Sequence, residues 1–127
     1  MRTESDKPSF QILQLGQLRV VGEQDGAPER ILKSRLVPVL QRHADVQAAY
    51  LTRVKVASSE EDGVALCLVS EADPDEQLVG EIGQVFADVF TSDAHLDILF
   101  LRLDQEEQVA PWSRSFFSVR QSTQPPA

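Results

Sequence analysis

Basic side chains are scarce in this sequence: 12 Lys and Arg stand against 20 Asp and Glu, for a net charge of −8. That deficit excludes charge-driven binding to nucleic acid or to anionic membranes, both of which need a cationic surface. Cysteine is nearly absent as well. The single Cys67 leaves no intramolecular disulfide and fits a reducing, cytoplasmic compartment. No apolar run approaches the roughly 20 residues that cross a bilayer. The first eight residues, Met1 to Pro8, carry no apolar stretch of the kind a secretory signal needs. Phosphate-loop, dinucleotide and zinc-ligand spacings are all missing, so no cofactor is expected.

What is present is an ordinary globular composition, 42% hydrophobic and 25% charged over 127 residues. That length makes one domain with one core. The domain is expected over 10–119, with a disordered segment at 1–9 and a disordered tail at 120–127 that contains Pro125-Pro126.

The chain is organised around Val46 to Val69. Two β-rich runs there flank a polar loop that ends in Asp62-Gly63, the composition of a hairpin. The first arm alternates, with Ala48, Tyr50, Thr52, Val54 and Val56 on one side and Leu51, Arg53 and Lys55 on the other. The second arm, Val64 to Val69, is apolar on both sides and reads as a central strand covered twice.

Around this hairpin, Phe10 to Val21 reads as one strand bent or bulged at Gly16. Ile31, Leu32, Leu36, Val39, Leu40 and His43 recur at helical steps, and Pro38 predicts a kink or a late start near Ser34. Asp73-Pro74-Asp75-Glu76 has the form of a capping box, with Asp73 as the cap of a helix reaching Phe90. Gly80 and Gly83 in that helix are expected to let it approach the sheet closely. A nearly continuous apolar strand follows from His95 to Leu103, then a short helix from Asp104 and an edge strand with Phe116 and Phe117.

The resulting order, βαββαβ with a short C-terminal helix and strand, predicts an α+β, ferredoxin-like two-layer sandwich. Its sheet would be antiparallel, with two helices on one face. Two helices cover one face only, yet 64–69 and 96–103 are apolar on both. Trp112, Phe116 and Phe117 are therefore the candidate cover of the second face, or an interface there with another subunit.

Reactive chemistry is thin. Asp93, His95 and Asp97 could converge along a strand on a metal, but three protein ligands with support from behind are the usual need, and Asp93 falls in a turn. Cys67 lies between Leu66 and Leu68 without a neighbouring base and reads as a buried inert thiol.

Leu36-Val-Pro-Val-Leu40, then Asp45-Val46-Gln-Ala-Ala49-Tyr50-Leu51, the strand at 96–103 and the terminal pair Phe116-Phe117 resemble the C-terminal domain of the SseB (enhanced serine sensitivity) family. The resemblance spans residues 15–118. It departs where Arg114-Ser115 replaces the family's proline before the aromatic pair, and it implies a stand-alone form without the usual N-terminal domain. It implies a bacterial α+β domain and brings no catalytic residues with it.

Three functions follow as expectations. The first is a non-enzymatic binding or regulatory module that self-associates through a sheet face. The second is an acidic immunity-type or inhibitor protein for a basic toxin, and the third is an enzyme or metal protein built on His95 and Asp97.

Overall fold

The computed structural model describes residues 9–13, 18–56, 62–71, 75–90 and 95–119. Of the terminal segments expected at 1–9 and 120–127, all but Ser9, which opens the first strand, lie outside the described residues, as do the cap Asp73, the turn residue Asp93 and most of the hairpin loop.

Six strands and two α-helices make the described core: β1 Ser9–Leu13, β2 Leu18–Glu23, α1 Ala27–Gln41, β3 Val46–Val56, β4 Asp62–Ser70, α2 Glu76–Val89, β5 His95–Leu101 and β6 Ser115–Ser118. A 3-10 helix, Leu103–Gln108, sits between β5 and β6. The sheet runs β1-β5-β4-β3-β2, and β6 also pairs with β3.

The α+β class and the two-layer construction are as expected, but the sheet is mixed. β4 and β5 run parallel, as do β1 and β5, while β3 is antiparallel to β2, β4 and β6. The strand order is therefore not the ferredoxin-like one. The reason lies in α2, which carries the chain from the end of β4 back to the start of an adjacent parallel strand, a βαβ unit.

The expected strand from Phe10 to Val21 is two strands on opposite edges of the sheet. β1 pairs with β5 and β2 with β3, so the broken alternation around Gly16 reflects two sets of partners, not one bulge. β2 and β6 share the outer edge of β3 end to end. β2 takes residues 52–56 and β6 takes 48–50, and Gln24 N–H meets the Leu51 carbonyl at 3.2 Å where the two strands meet. Asp62 and Gly63 belong to β4, opposite Lys55 and Val54, so the hairpin loop is shorter than its composition predicts.

One face of the sheet carries both helices. Leu32, Leu36 and Leu40 of α1 and Leu78, Ile82 and Phe86 of α2 pack on Ala49, Leu51, Leu66, Leu68, Leu96 and Ile98. Each such fully buried aliphatic side chain contributes about 1.5–3 kcal/mol. Ile31, expected on that stripe, is 50% exposed because, one residue before Leu32, it points about 100° round the helix from the Leu32–Leu36 line. Pro38 lies inside α1 on its exposed side, and the helix continues through it to Gln41. Ser34, whose carbonyl loses its partner there, lies on the exposed side too, where the group is open to solvent and no break is forced. α2 begins two residues later than the capping-box reading: Asp75 is the cap, and its carboxylate accepts from Gln77 N–H at 2.9 Å.

The second face is closed within the single chain. Ala65, Cys67 and Leu99 are 0% exposed, and they form a cluster with Tyr50, Val54, Val69 and Leu101. Among the described residues the member from outside the sheet is Val109, just after the 3-10 helix. Thus the segment after β5 does cover this face, through Val109 and not through the aromatic residues expected to do it. Among the described residues, the face expected to be left open for self-association is buried at its centre.

Gly80 has no close-packing role. It is exposed, and a Cβ there would meet nothing within 4 Å. Gly80→Ala should therefore stabilise the fold by about 1 kcal/mol, the helix-propensity difference. Thermal denaturation checks this, and a lowered Tm would show that Gly80 is needed for packing.

Candidate functional site

Four places carry polar or exposed groups that the core does not account for. The first is the junction of the two helices. His43, just past α1, places Nε2 3.1 Å from Glu81 Oε1 and Nδ1 3.6 Å from Asp75 Oδ2. Arg42 Nη2 reaches the same Glu81 oxygen at 3.2 Å, and Gln77 donates to the other oxygen at 3.3 Å. These donors, His43 first, hold the Glu81 carboxyl below the ordinary glutamate range. Its contribution to stability is thus present above that range and is lost as pH falls through the folded value. A pocket of about 180 Å³ opens beside the junction, lined by Arg42, His43, Asp45, Ser70, Asp75 and Phe100. It lies at the carboxyl end of β4, where α/β crossovers place ligands. Its volume is below the ~300 Å³ at which ordinary ligand sites begin. Arg42 and His43 both engage Glu81, so the cluster works as a tie between α1 and α2. No local pattern links residues 43 and 81, so the sequence did not reveal it.

The second place is the start of β5. His95 and Asp97 share a strand face, as their spacing predicts, with Nε2 2.8 Å from Oδ1. The Asp97 side chain is 3% exposed and that of His95 43% exposed, so a buried carboxylate orients an imidazole at the surface. Among the described residues no group of three or more His, Cys, Asp or Glu is placed to hold a metal.

The third lies within the second-face cluster. The Thr52 hydroxyl approaches the Ala65 carbonyl at 3.4 Å and Cys67 Sγ at 3.9 Å. Burial pushes the Cys67 thiol up to about 12, against a smaller opposite effect of Thr52. A thiol so rarely ionised at neutral pH is a poor nucleophile. Tyr50, from the same cluster, donates its hydroxyl hydrogen bond to the Glu106 carboxylate in the 3-10 helix. The two residues are 56 apart in sequence, and nothing in either local pattern announces the bond.

The fourth is the turn at 109–113. Trp112 N–H donates to the Val109 carbonyl at 2.9 Å, and Ser113 Oγ approaches the Leu51 carbonyl at 3.5 Å. Val109 is 0% and Ser113 7% exposed, yet Trp112 between them is 58% exposed. The three aromatic residues grouped in the sequence separate here. Phe117 is buried in the helix-face core, Phe116 is half-buried against it, and Trp112 alone faces outward.

The sequence model of the SseB protein C-terminal domain matches residues 19–118. No curated protein and no solved structure matches the chain.

The Tyr50–Glu106 bond holds the 3-10 segment against the face that buries Cys67. A hydrogen bond to a charged group contributes about 1.5–3 kcal/mol. Tyr50→Phe should lower stability by that order and speed labelling of Cys67 by a thiol reagent in native buffer, where the unaltered protein stays silent. Equal labelling rates in the two proteins would show that the bond does not close this face.

Proposed function

The chain belongs to the SseB protein C-terminal domain family, and from that membership and its surface we propose that it is a non-catalytic protein-binding module that docks its partner through Trp112. The observation that carries this reading is the 58% exposed indole on a turn whose flanking residues, Val109 and Ser113, are buried. An aromatic side chain buries roughly 150–250 Å² when covered. Tryptophan is among the residues enriched at interface hot spots, and on a fixed backbone little ordering entropy remains to be lost on binding. Phe117, with Phe116 packed beside it, belongs instead to the helix-face core, where it fixes β6.

A basic partner is the second reading. α2 contains no Lys or Arg, and Asp75, Glu76 and Asp88 at its surface are exposed. Such a face would steer a basic protein toward the molecule before any close contact. A cytoplasmic setting suits the buried lone thiol. No described helix is long and apolar enough to cross a membrane.

The test is affinity capture from the native host with the intact protein, Trp112→Ala and His95→Ala in parallel. Loss of a central anchor costs about 2 kcal/mol, or roughly thirtyfold in affinity. Trp112→Ala should lose its captured partner while keeping the Tm of the unaltered protein, and His95→Ala should keep the partner. Undiminished capture by Trp112→Ala would overturn the proposal, and loss with His95→Ala alone would move the site to the start of β5.

A further inference from the structure

The Trp112 turn is closed by its own backbone, but that does not fasten it to the body of the protein. The bond from Trp112 N–H to the Val109 carbonyl, 2.9 Å, lies within the turn. Among the described residues, two hydrogen bonds join the turn to the sheet on its far side. Ser113 Oγ approaches the Leu51 carbonyl at 3.5 Å, long for a bond between oxygens, and that carbonyl already accepts Gln24 N–H at 3.2 Å. The other bond is stronger in kind. Arg114 N–H donates to Glu23 Oε1 at 3.3 Å, and the acceptor is a carboxylate. Arg114 comes just before β6, whose ladder with β3 starts at Ser115 opposite Tyr50.

Glu23 is placed to hold that amide. As the last residue of β2 it is fixed by its pairing with Thr52. Its second oxygen, Oε2, lies 3.5 Å from Lys33 Nζ on α1, and the same ammonium meets Asp25 Oδ1 at 3.0 Å. The Lys33 side chain is 13% exposed, so this pair is sheltered as most surface ion pairs are not. The carboxylate serves both partners at once, one oxygen each. An amide in its place serves only Arg114 N–H, because its NH2 would face the Lys33 ammonium. We propose that Glu23 is the positioning residue of the Trp112 turn. Lys33 orients its carboxylate, the carboxylate fixes Arg114, and the indole two residues earlier is held outward in one orientation. As a device for binding, this rests on Trp112 being the docking anchor, since a side chain already ordered loses less on meeting its partner. Residues 23 and 114 are 91 apart, so no local pattern in the sequence announces the contact.

The chain contains one tryptophan, so its fluorescence reports Trp112 without a label. Time-resolved anisotropy is recorded on the unaltered protein, Glu23→Ala and Glu23→Gln, with Tm measured alongside. Both variants take the counter-charge from Lys33, so a merely structural role lowers Tm in both and leaves their anisotropy decays alike. Positioning predicts a split between them. Glu23→Ala should raise the amplitude of the fast local depolarisation of the indole by about twofold or more. Glu23→Gln, which keeps an oxygen for Arg114 N–H, should stay close to the unaltered protein. In the unaltered protein, Arg114 N–H should exchange with solvent at least about tenfold more slowly than a free-peptide amide, a readout that needs no variant to fold. Equal decays in all three proteins, equal rises in the two variants, or free-peptide exchange at Arg114 would each refute the proposal. None of these readouts involves a partner, so they are independent of the docking reading, which Trp112→Ala tests by itself.

Discussion

A strand that is apolar on both faces cannot stand at a surface, and β4 is such a strand. Its residues Ala65 to Val69 are all 0% exposed, with Leu66 and Leu68 toward the helices and Ala65, Cys67 and Val69 away from them. Everything else is placed to satisfy that demand. β3 and β5 flank it in the sheet, α1 and α2 cover one side, and the segment after β5 folds back over the other. The two covers differ in kind. The helix side rests on many large aliphatic contacts, and loss of any one leaves the rest. The opposite side has, among the described residues, Val109 and the Tyr50–Glu106 bond.

That difference bears on where function can reside. With both faces of the sheet occupied within one chain, binding surfaces must come from turns, helix exteriors and sheet edges. The same return segment that closes the second face also carries Trp112 outward, because Val109 and Ser113 are anchored on either side of it. Cover and display are thus two results of one short stretch of chain. The paired charges of His43, Arg42, Asp75 and Glu81 tie α1 to α2 in the other layer.

Local periodicity made much of this legible. The helical stripes at Leu32–Leu36–Leu40 and Leu78–Ile82–Phe86, the alternation of β3 and the doubly apolar β4 all read directly from residue type and spacing. Pairing did not. Whether β5 lies parallel or antiparallel to β4, and that β1 leaves β2 for the far edge, depend on contacts between strands whose own patterns are alike. Gly80 misled because a glycine in a helix has the same letter whether it faces a sheet or water. The His95–Asp97 pair was readable because two residues on one strand face must meet, whereas Tyr50–Glu106 and His43–Glu81 join distant segments. The aromatic trio was sound as composition and wrong as a unit, since β6 turns Phe117 inward while the preceding turn leaves Trp112 outside.

The central claim is that one chain buries both faces of β4 by itself. Native-state hydrogen exchange of the backbone amides of Ala65 to Val69 tests it most directly. If the claim holds, these amides exchange last, with the free energy of global unfolding, and their protection is the same in dilute and concentrated protein. Exchange well ahead of global unfolding, or protection that rises with protein concentration, would mean that the second face is covered by something other than this chain.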